Sequence, residues 1–512
     1  MDLVCVILFL VLYYVRPQEW SSIFSAIHFV QIVMLMALFS LFGGQKQVRL
    51  GDLFKTPHDW MILLFFGWMI LSNDAPYETF KSNFALAIFY FVIVQTMTSV
   101  RRLNIFVGWW TGLTIFVAAL AIMSNFGVDP LGSMDITTGR MKGRLILNLS
   151  IFNNPNALGH SVVPCIPMIY FFCFWKRPLF IKQIGTLLIG IPIWCVFLTA
   201  SKGAFLTGGA VLVATLAFGR PKTVQILILV VTAAVGGTAM HSLPRMNELE
   251  KAKSDQAIQG RVAAFTHGMK VMQDNIRGVG RGNWMESFLR THHYGKACHS
   301  SYVQVGAELG YPGLFLFLGI LYCCLRTLLT MKANTPEVER IRRTLFVLVL
   351  SYMISSWMVD FGFRASFFMF AAGVASLHRI INGLVTAPET VEEKISLPGW
   401  RPHMIPRPGV VTAPALAAMA PPAPIYSLPK VAIKVPPPPK FVWMPKPATS
   451  RSKESPSVEN AKPKGAEEEI PADETAVVRG IDWMKFGFID FAMVLTMTIT
   501  AVKLWQMAIR RM

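Results

Sequence analysis

Residues 299–325 read HSSYVQVGAELGYPGLFLFLGILYCCL, and this stretch determines the class of fold. A long polar segment ends at His299, and the apolar run that follows is long enough to cross a membrane as a helix. Gly306, Gly310 and Gly313 lie in that run, within about 40° of the direction of His299 at 100° per residue. Small residues on one stripe let another helix approach closely. The stretch therefore predicts a histidine at the membrane edge, on a tightly packed helix face.

Composition sets the broad class of protein. The chain has 512 residues, of which 53% are hydrophobic and only 15% are charged. A soluble enzyme of this length is less apolar, so the chain is predicted to be an all-α polytopic membrane protein. The net charge of +19 does not indicate nucleic-acid binding, because cytoplasmic loops of membrane proteins collect Lys and Arg. No basic patch with interleaved aromatic residues argues for a nucleic-acid partner either.

About twelve segments have the length and hydrophobicity of a membrane span. They lie near 3–15, 23–43, 59–73, 83–99, 104–124, 158–175, 180–199, 204–218, 222–240, 301–325, 342–358 and 364–382. The connections alternate in charge, with Arg101 and Arg220 on one side and Glu19 on the other. This alternation predicts that both ends of the body, residues 1–384, are cytoplasmic. The longer loops 125–157 and 241–300 are then extracytoplasmic, and we expect function to concentrate there.

The C-terminal part has a different composition. Residues 385–480 are rich in Pro, Ala and Lys, which predicts a disordered or polyproline-like cytoplasmic tail that a partner protein could bind. We therefore expect a chain ending near 384 to retain activity. Residues 481–512 contain a second hydrophobic run over 482–508. As a thirteenth span it would leave Arg510 and Arg511 outside, against the charge rule. An interfacial helix, or a helix docked on a partner, is the alternative.

Cationic residues recur on the predicted outer side. Arg140 and Arg144 lie in the first long loop, where guanidinium groups match phosphate oxygens or touch lipid headgroups. Lys202 lies in a polar break between two spans, and it either binds an anion or extends towards the membrane surface as an ordinary lysine. Gly260-Arg261 opens an amphipathic segment. The series Gly278–Gly282 predicts a turn whose backbone N–H groups suit an anion.

Histidine and cysteine residues are also concentrated before the apolar run. His292-His293 and Cys298-His299 have side chains that can bind zinc. Zinc sites need a more regularly spaced ligand set, however, and no second cluster in the sequence completes one. We therefore predict no metal site.

Four of these motifs together resemble the bacterial O-antigen ligase/polymerase superfamily. They are Thr199–Ala204, Gly260-Arg261, Gly278–Gly280, and His299-Ser300 followed by Gly310 and Gly313. The resemblance covers roughly 150–380, and the span count extends it over 1–382. It implies a GT-C-like membrane enzyme that transfers a glycan from an undecaprenyl-diphosphate carrier to an acceptor hydroxyl. The transfer would take place at the outer face of the bacterial inner membrane, without metal or cofactor.

The resemblance also implies roles for individual residues. Family arginines at two positions are thought to hold the diphosphate; here the second is Arg261, but the first is Lys202, which keeps the charge and loses the paired hydrogen bonds. His299, with an ordinary pKa of about 6.5, is the expected general base. Arg140 or Arg144 could supply further anion contacts. Ser300 either orients the histidine or simply starts the helix, and Gly310 and Gly313 are structural.

Other functions remain open from the sequence. A transporter or flippase for lipid-linked glycans has the same span count and a cationic cavity, although it would need broken helices in paired positions. A non-catalytic assembly scaffold is a third class, which only the Pro-rich tail favours. Within the superfamily, the acceptor could be lipid A-core, a growing polysaccharide or a protein.

Overall fold

The computed structural model describes residues 2–21, 29–42, 50–128, 140–141, 143–241, 256–384 and 486–511. The tail over 385–480 and part of the loop over 241–300 lie outside these ranges. As the sequence predicted, the described residues are mostly helical. One short antiparallel hairpin is present, in which β1 (Arg140–Met141) pairs with β2 (Arg144–Leu145).

The helices are numbered in chain order. They are α1 (Asp2–Tyr14), α2 (Pro17–Trp20), α3 (Phe29–Phe42), α4 (Pro57–Leu71), α5 (Pro76–Thr96), α6 (Val100–Asn125), α7 (Pro155–Val162), α8 (Cys165–Ile169), α9 (Leu179–Thr199), α10 (Lys202–Ala217), α11 (Lys222–His241), α12 (Gln256–Asp274), α13 (Trp284–His292), α14 (Ser301–Thr330), α15 (Pro336–Ser355), α16 (Ala365–Ile381) and α17 (Phe488–Arg511). A 3₁₀ turn covers Leu50–Asp52, and a π-helical turn over Tyr170–Phe174 continues α8.

Within the described ranges, seven helical segments are long and apolar enough to cross a membrane. They are Asp2–Trp20, Pro76–Thr96, Val100–Asn125, Pro155–Phe174, Leu179–Thr199, Ser301–Thr330 and Phe488–Arg510. Five shorter helices are also apolar: Phe29–Phe42, Pro57–Leu71, Lys202–Ala217, Lys222–Thr238 and Ala365–Ile381. The chain is therefore a membrane protein built from helices.

Polar residues mark the starts of the helices that matter for the site. Asn154, Ser201 and Ser300 are the N-caps of α7, α10 and α14. Each side-chain oxygen accepts a hydrogen bond from a backbone N–H in the first turn of its helix. This capping satisfies donors that have no partner within the helix and fixes where the apolar segment begins.

The long helix α14 is broken about one third of the way along its length. Gly310 has φ 66° and ψ −164°, and Pro312 has no N–H to donate. A Cβ on Gly310 would overlap the backbone carbonyl of Ile276, so only glycine fits there. The prediction that Gly306, Gly310 and Gly313 share one helical stripe is therefore wrong, because the helix changes direction at Gly310.

Because of the break, the backbone carbonyls of residues 307–309 accept no hydrogen bond from within the helix. Donors from other elements bond them instead. The amides of Val279 and Gly280 bond the first two carbonyls at 3.0 and 2.8 Å, and Trp68 Nε1 bonds the third at 2.8 Å. Gly278 has φ 76°, and a Cβ there would lie 2.6 Å from the first carbonyl. The glycine-rich loop after α12 is thus the structural partner of the α14 break.

Hydrogen bonds group the connections at the two ends of α14, which we call the His299 end and the Arg326 end. Glu19 accepts a bond from the amide of Ser150 at 2.8 Å, and Asn73 donates to the carbonyl of Arg281 at 2.9 Å. Glu19, Ser150 and Arg281 belong to connections that the charge pattern predicted to be on the outer side, and Asn73 is the last residue of the predicted span 59–73.

Connections predicted to be cytoplasmic meet in the same way. Lys55 Nζ donates to the carbonyl of Leu384 at 3.1 Å, and Arg102 pairs with Asp2 at 2.7 Å. Residues predicted to share a membrane side are therefore neighbours in the structure.

The C-terminal helix α17 packs along α14 and runs in the opposite direction. Near its start, Asp490 pairs with Arg326 at 2.9 Å. Near its end, the indole N–H of Trp505 donates to the carbonyl of Phe265 in α12 at 3.0 Å, and the ring lies against Gly306. The helix therefore belongs to the body and follows α14 over most of its length.

Candidate functional site

His299 lies at the point where the polar connection meets α14. Its neighbours in sequence, Cys298 and Ser300, are buried, and His299 itself is half-buried. Its backbone is in the left-handed region with φ 54°. Residues other than glycine adopt this conformation rarely, and it is found more often where function requires a particular side-chain direction.

Charged groups surround the His299 imidazole unevenly. Burial lowers its pKa, and the positive charges of Arg261 and Lys296 lower it further. The Asp360 carboxylate acts in the opposite direction, since it favours the protonated ring. The net result is a pKa below the ordinary value of 6.5, so the ring is neutral and able to accept a proton at neutral pH.

The head of α14 is fastened to the connection between α15 and α16. The Ser300 hydroxyl donates to the carbonyl of Ser356 at 3.0 Å, and the Ser301 amide donates to the same carbonyl at 2.7 Å. The Ser301 hydroxyl donates to the carbonyl of Val359 at 2.8 Å, and the amide of Phe361 donates to that hydroxyl at 2.8 Å. Ser300 therefore both caps the helix and fixes the segment that follows α15.

These bonds explain why Asp360 acts on His299, and sequence reasoning missed this residue. Asp360 lies between Val359 and Phe361, the two residues that Ser301 holds. The only signal in the sequence is a lone carboxylate in a short outer connection between two predicted spans. No spacing rule links it to position 299, because the two residues are brought near each other only when α14 and α15 pack.

Arg261 and Lys296 are the two cations that act on the pKa of His299. Arg261 is in the second turn of α12, and its guanidinium donates to the Met358 sulfur at 3.7 Å. A Cβ on Gly260 would lie 2.5 Å from the Lys296 ammonium, so glycine at 260 lets the lysine pack against α12. The Gly260-Arg261 pair thus brings two cations to one place. Lys296 lies in none of the sequence motifs, so sequence reasoning did not predict it as a site residue.

Lys202 is the first residue of α10, directly after the N-cap Ser201. At the next position, a Cβ on Gly203 would lie 3.2 Å from Met358 Cγ and 3.0 Å from His160 Nε2. Met358 therefore lies between Gly203 at the start of α10 and Arg261 of α12, which brings these two helix segments close to each other.

His160 is almost fully buried, and its Nδ1 lies 2.9 Å from the Ser355 hydroxyl.

Arg144 is held by protein acceptors. Its Nε donates to the carbonyl of Thr199 at 2.8 Å, and its terminal nitrogen donates to the Asn156 side-chain oxygen at 2.9 Å. The Ser201 hydroxyl donates to the same oxygen at 2.8 Å. Arg144 therefore ties the hairpin to the junction before Lys202. Arg140 pairs through its backbone with Leu145, and its side chain lies outside the described part of the chain.

The anionic group that the glycine-rich loop binds is a side chain of the protein itself, the Glu308 carboxylate. Glu308 is 2% exposed, and its carboxylate accepts the amide of Gly282 at 3.1 Å and the guanidinium of Arg281 at 3.1 Å. The expectation that this loop presents backbone N–H groups to a ligand is wrong for Val279, Gly280 and Gly282, because those amides bond α14.

The remaining arrangement can perform one kind of chemistry. A neutral imidazole at the edge of the apolar helices can take a proton from a hydroxyl group. Fixed cations beside it can stabilise negative charge that develops on a leaving group.

A comparison with protein families identifies the same region. Residues 186–318 match the family model described as O-antigen ligase. The matched range contains Lys202, Arg261, His299, Gly310 and Gly313. No curated protein matches the chain.

Proposed function

Since residues 186–318 belong to the O-antigen ligase-like superfamily, we propose that the protein is a membrane glycosyltransferase. It moves a glycan from an undecaprenyl-diphosphate carrier to an acceptor hydroxyl. One observation carries most weight: the neutral His299 and the cation Arg261, which acts on its pKa, lie together within the matched region. Neither a non-catalytic assembly scaffold nor an ordinary membrane-spanning helix requires a neutral histidine beside a cation.

His299 is the general base in this proposal. A ring nitrogen accepts the proton as the acceptor oxygen attacks the anomeric carbon of the glycan. The new carbon–oxygen bond forms while the bond from that carbon to the carrier phosphate breaks. Burial and the neighbouring cations keep the ring unprotonated beforehand, which leaves it ready to act at neutral pH.

Arg261 and Lys202 hold the diphosphate that leaves. The leaving group gains negative charge as the bond breaks, and cations held by α12 and α10 are in place before this happens. Arg144 supports this site indirectly, because it fixes the α9–α10 junction that carries Lys202.

The membrane arrangement follows from the charge pattern. We propose a GT-C-like body of about twelve spans in a bacterial inner membrane, with the His299 end outside and the 385–480 tail in the cytoplasm. The exposed Lys270 on α12 is a suitable reporter position. A membrane-impermeant maleimide should label Lys270→Cys from the outer side above the background of the parent protein. Labelling only after the cytoplasmic face is opened would contradict both the topology and the site.

Reconstitution tests the activity itself. The full-length protein in liposomes should join glycan from an undecaprenyl-diphosphate donor to one of three acceptors: lipid A-core, a growing polysaccharide or a protein. The product is detected by mass, and the acceptor that reacts identifies the type of enzyme. A His299→Asn variant, in which the side chain remains polar and tolerates the left-handed backbone, is the inactive control. Movement of the donor across the bilayer without a new glycosidic bond would indicate a transporter instead.

A further inference from the structure

The C-terminal helix α17 holds the two sides of the site together. We infer that it is a permanent part of the catalytic body and that Trp505 positions α12, which carries Arg261, against α14, which follows His299. This inference rests on the proposed function for its catalytic consequence but not for the docking of the helix. It also reverses the expectation that a chain ending near 384 retains activity.

The Arg326 end of α17 is fixed by a buried ion pair. Asp490 is 2% exposed and accepts hydrogen bonds from the Tyr322 hydroxyl at 2.8 Å and the Gly487 amide at 2.8 Å, besides its pair with Arg326. A carboxylate with this many partners costs little to bury while the helix is docked. If α17 were undocked, Arg326 would remain beside an apolar surface without the Asp490 carboxylate.

The His299 end of α17 is fixed by Trp505, whose side chain is 1% exposed. The ring fits between two glycines on different helices. A Cβ on Gly268 of α12 would lie 3.1 Å from the ring, and a Cβ on Gly306 of α14 would lie 3.0 Å from it. The ring therefore contributes to the separation of these two helices, together with the direct contact between Gly268 and Val303.

That separation matters for the proposed chemistry. Trp505 also bonds the carbonyl of Phe265, which is one helical turn beyond Arg261. Gly306 is in the second turn of α14, seven residues beyond His299. A gap left by the ring would allow α12 to shift, and Arg261 would move with it. Misplacement of a catalytic group by about 1 Å can reduce a rate by about 10²-fold.

A cross-link tests docking without any activity measurement. A Cβ on Gly319 of α14 would lie 3.7 Å from Val494 Cγ1 of α17, which suits a disulfide between Gly319→Cys and Val494→Cys. The full chain carries an inserted protease site within 385–480, so that a disulfide keeps the two fragments together after cleavage. Met493→Cys, which is 48% exposed, replaces Val494→Cys in the control. Equal linking in both pairs, or none in either, would overturn the docking.

Activity and its pH dependence test the positioning role in the full chain. Trp505→Ala should lower kcat/KM by about 10²-fold, and Trp505→Phe, which keeps a ring in the slot, should recover part of the loss. Trp109→Ala is the control, because Trp109 is 48% exposed on α6. Deletion of 390–478 should change nothing, since α17 remains attached.

The pH profile separates positioning from a loss of folded protein. Arg261, Lys296 and Asp360 are the charged groups that act on the pKa of His299. If α12 shifts away, Arg261 repels the protonated ring less, so the acid limb of the rate profile should move to higher pH. A Trp505→Ala variant with the parent kcat/KM, or one with fewer active molecules and an unchanged pH profile, would overturn the positioning role. Absence of transfer in the parent would overturn the proposed function, while the cross-link still decides the docking.

Discussion

Two arginines at the Arg326 end of α14 pair with carboxylates of other helices, whereas the charged groups that act on the pKa of His299 are two cations and one carboxylate. Arg326 pairs with Asp490 at 2.9 Å, and Arg379 pairs with Asp59 at 2.8 Å. Around His299, by contrast, Arg261 and Lys296 act together against one carboxylate, that of Asp360.

The difference indicates what each end is for. Buried charges that pair within the protein complete its structure and leave little field for a ligand. Cations that lie together beside a proton-accepting group favour the binding of an anion there. The same helix can therefore be anchored at one end and reactive at the other, with the break at Gly310 between them.

The strongest test of this contrast is removal of the histidine. His299→Ala and His299→Asn should each reduce the transfer rate by about 10²–10⁴-fold, because no base then accepts the hydroxyl proton. Binding of the donor should persist. His293→Ala is a closely matched control, since His293 also has a left-handed backbone, with φ 61°, but is exposed. Normal turnover of His299→Ala would remove the distinction between the two ends.

The second test removes the cation on α12. Arg261→Ala should reduce transfer by about 10²–10³-fold, a size typical for loss of one group that stabilises developing charge. Arg261→Lys should remain impaired, because the ammonium cannot form paired hydrogen bonds with phosphate. Steady-state kinetics in liposomes would measure both effects. The exposed Lys270 on the same helix provides the control Lys270→Ala, and equal losses in both helix positions would mean that charge alone, without position, matters.

The third test uses the signs of the charges around His299. Asp360 raises the pKa of His299, so Asp360→Asn should lower that pKa and extend transfer to more acidic solutions. Lys296 lowers it, so Lys296→Met should raise the pKa and move the acid limb of the profile to higher pH. Rate profiles of kcat/KM against pH measure the shifts. Shifts in the same direction for both variants would show that a group other than His299 controls the limb.

Sequence reasoning located much of this arrangement because some signals are local. Apolar runs, the cap residue Ser300 and the Gly260-Arg261 pair depend on neighbours within a few residues. Helix periodicity failed where a local rule was broken. Gly310 takes a conformation outside the helix, and the carbonyls released there bind the loop that the sequence assigned to an anion.

Contacts between distant segments were beyond the same reasoning. Asp360 acts on the pKa of His299 because two serines of the α14 head bond the segment before α16 and hold it nearby. The docking of α17 against the body depends on such contacts, since Asp490 and Trp505 find their partners in α14 and α12. Nothing in the composition of that segment specifies those partners.

The smallest effect is expected from a substitution at the Arg326 end, where charge should matter for stability and not for the transfer rate. Glu339 near the start of α15 pairs with Arg342 at 2.7 Å and with Arg343 at 2.6 Å. Those arginines in turn donate to the carbonyls of Leu328 and Phe218 at 2.8 and 3.1 Å, close to the C-terminal ends of α14 and α10. Glu339 therefore orders two cations that favourably cap helix ends.

Glu339→Gln should lower the stability of the detergent-solubilised protein by about 1 kcal/mol, since the pairs are partly exposed and form a small network. Thermal unfolding measures this change, and Glu337→Gln, at an exposed position on the same helix, should leave it unaltered. The folded fraction should transfer glycan at the parent rate, because Glu339 lies at the opposite end of α14 from His299. A fully folded Glu339→Gln protein that transfers slowly would show that charge at the Arg326 end also serves catalysis, and the division between an anchoring end and a reactive end would fail.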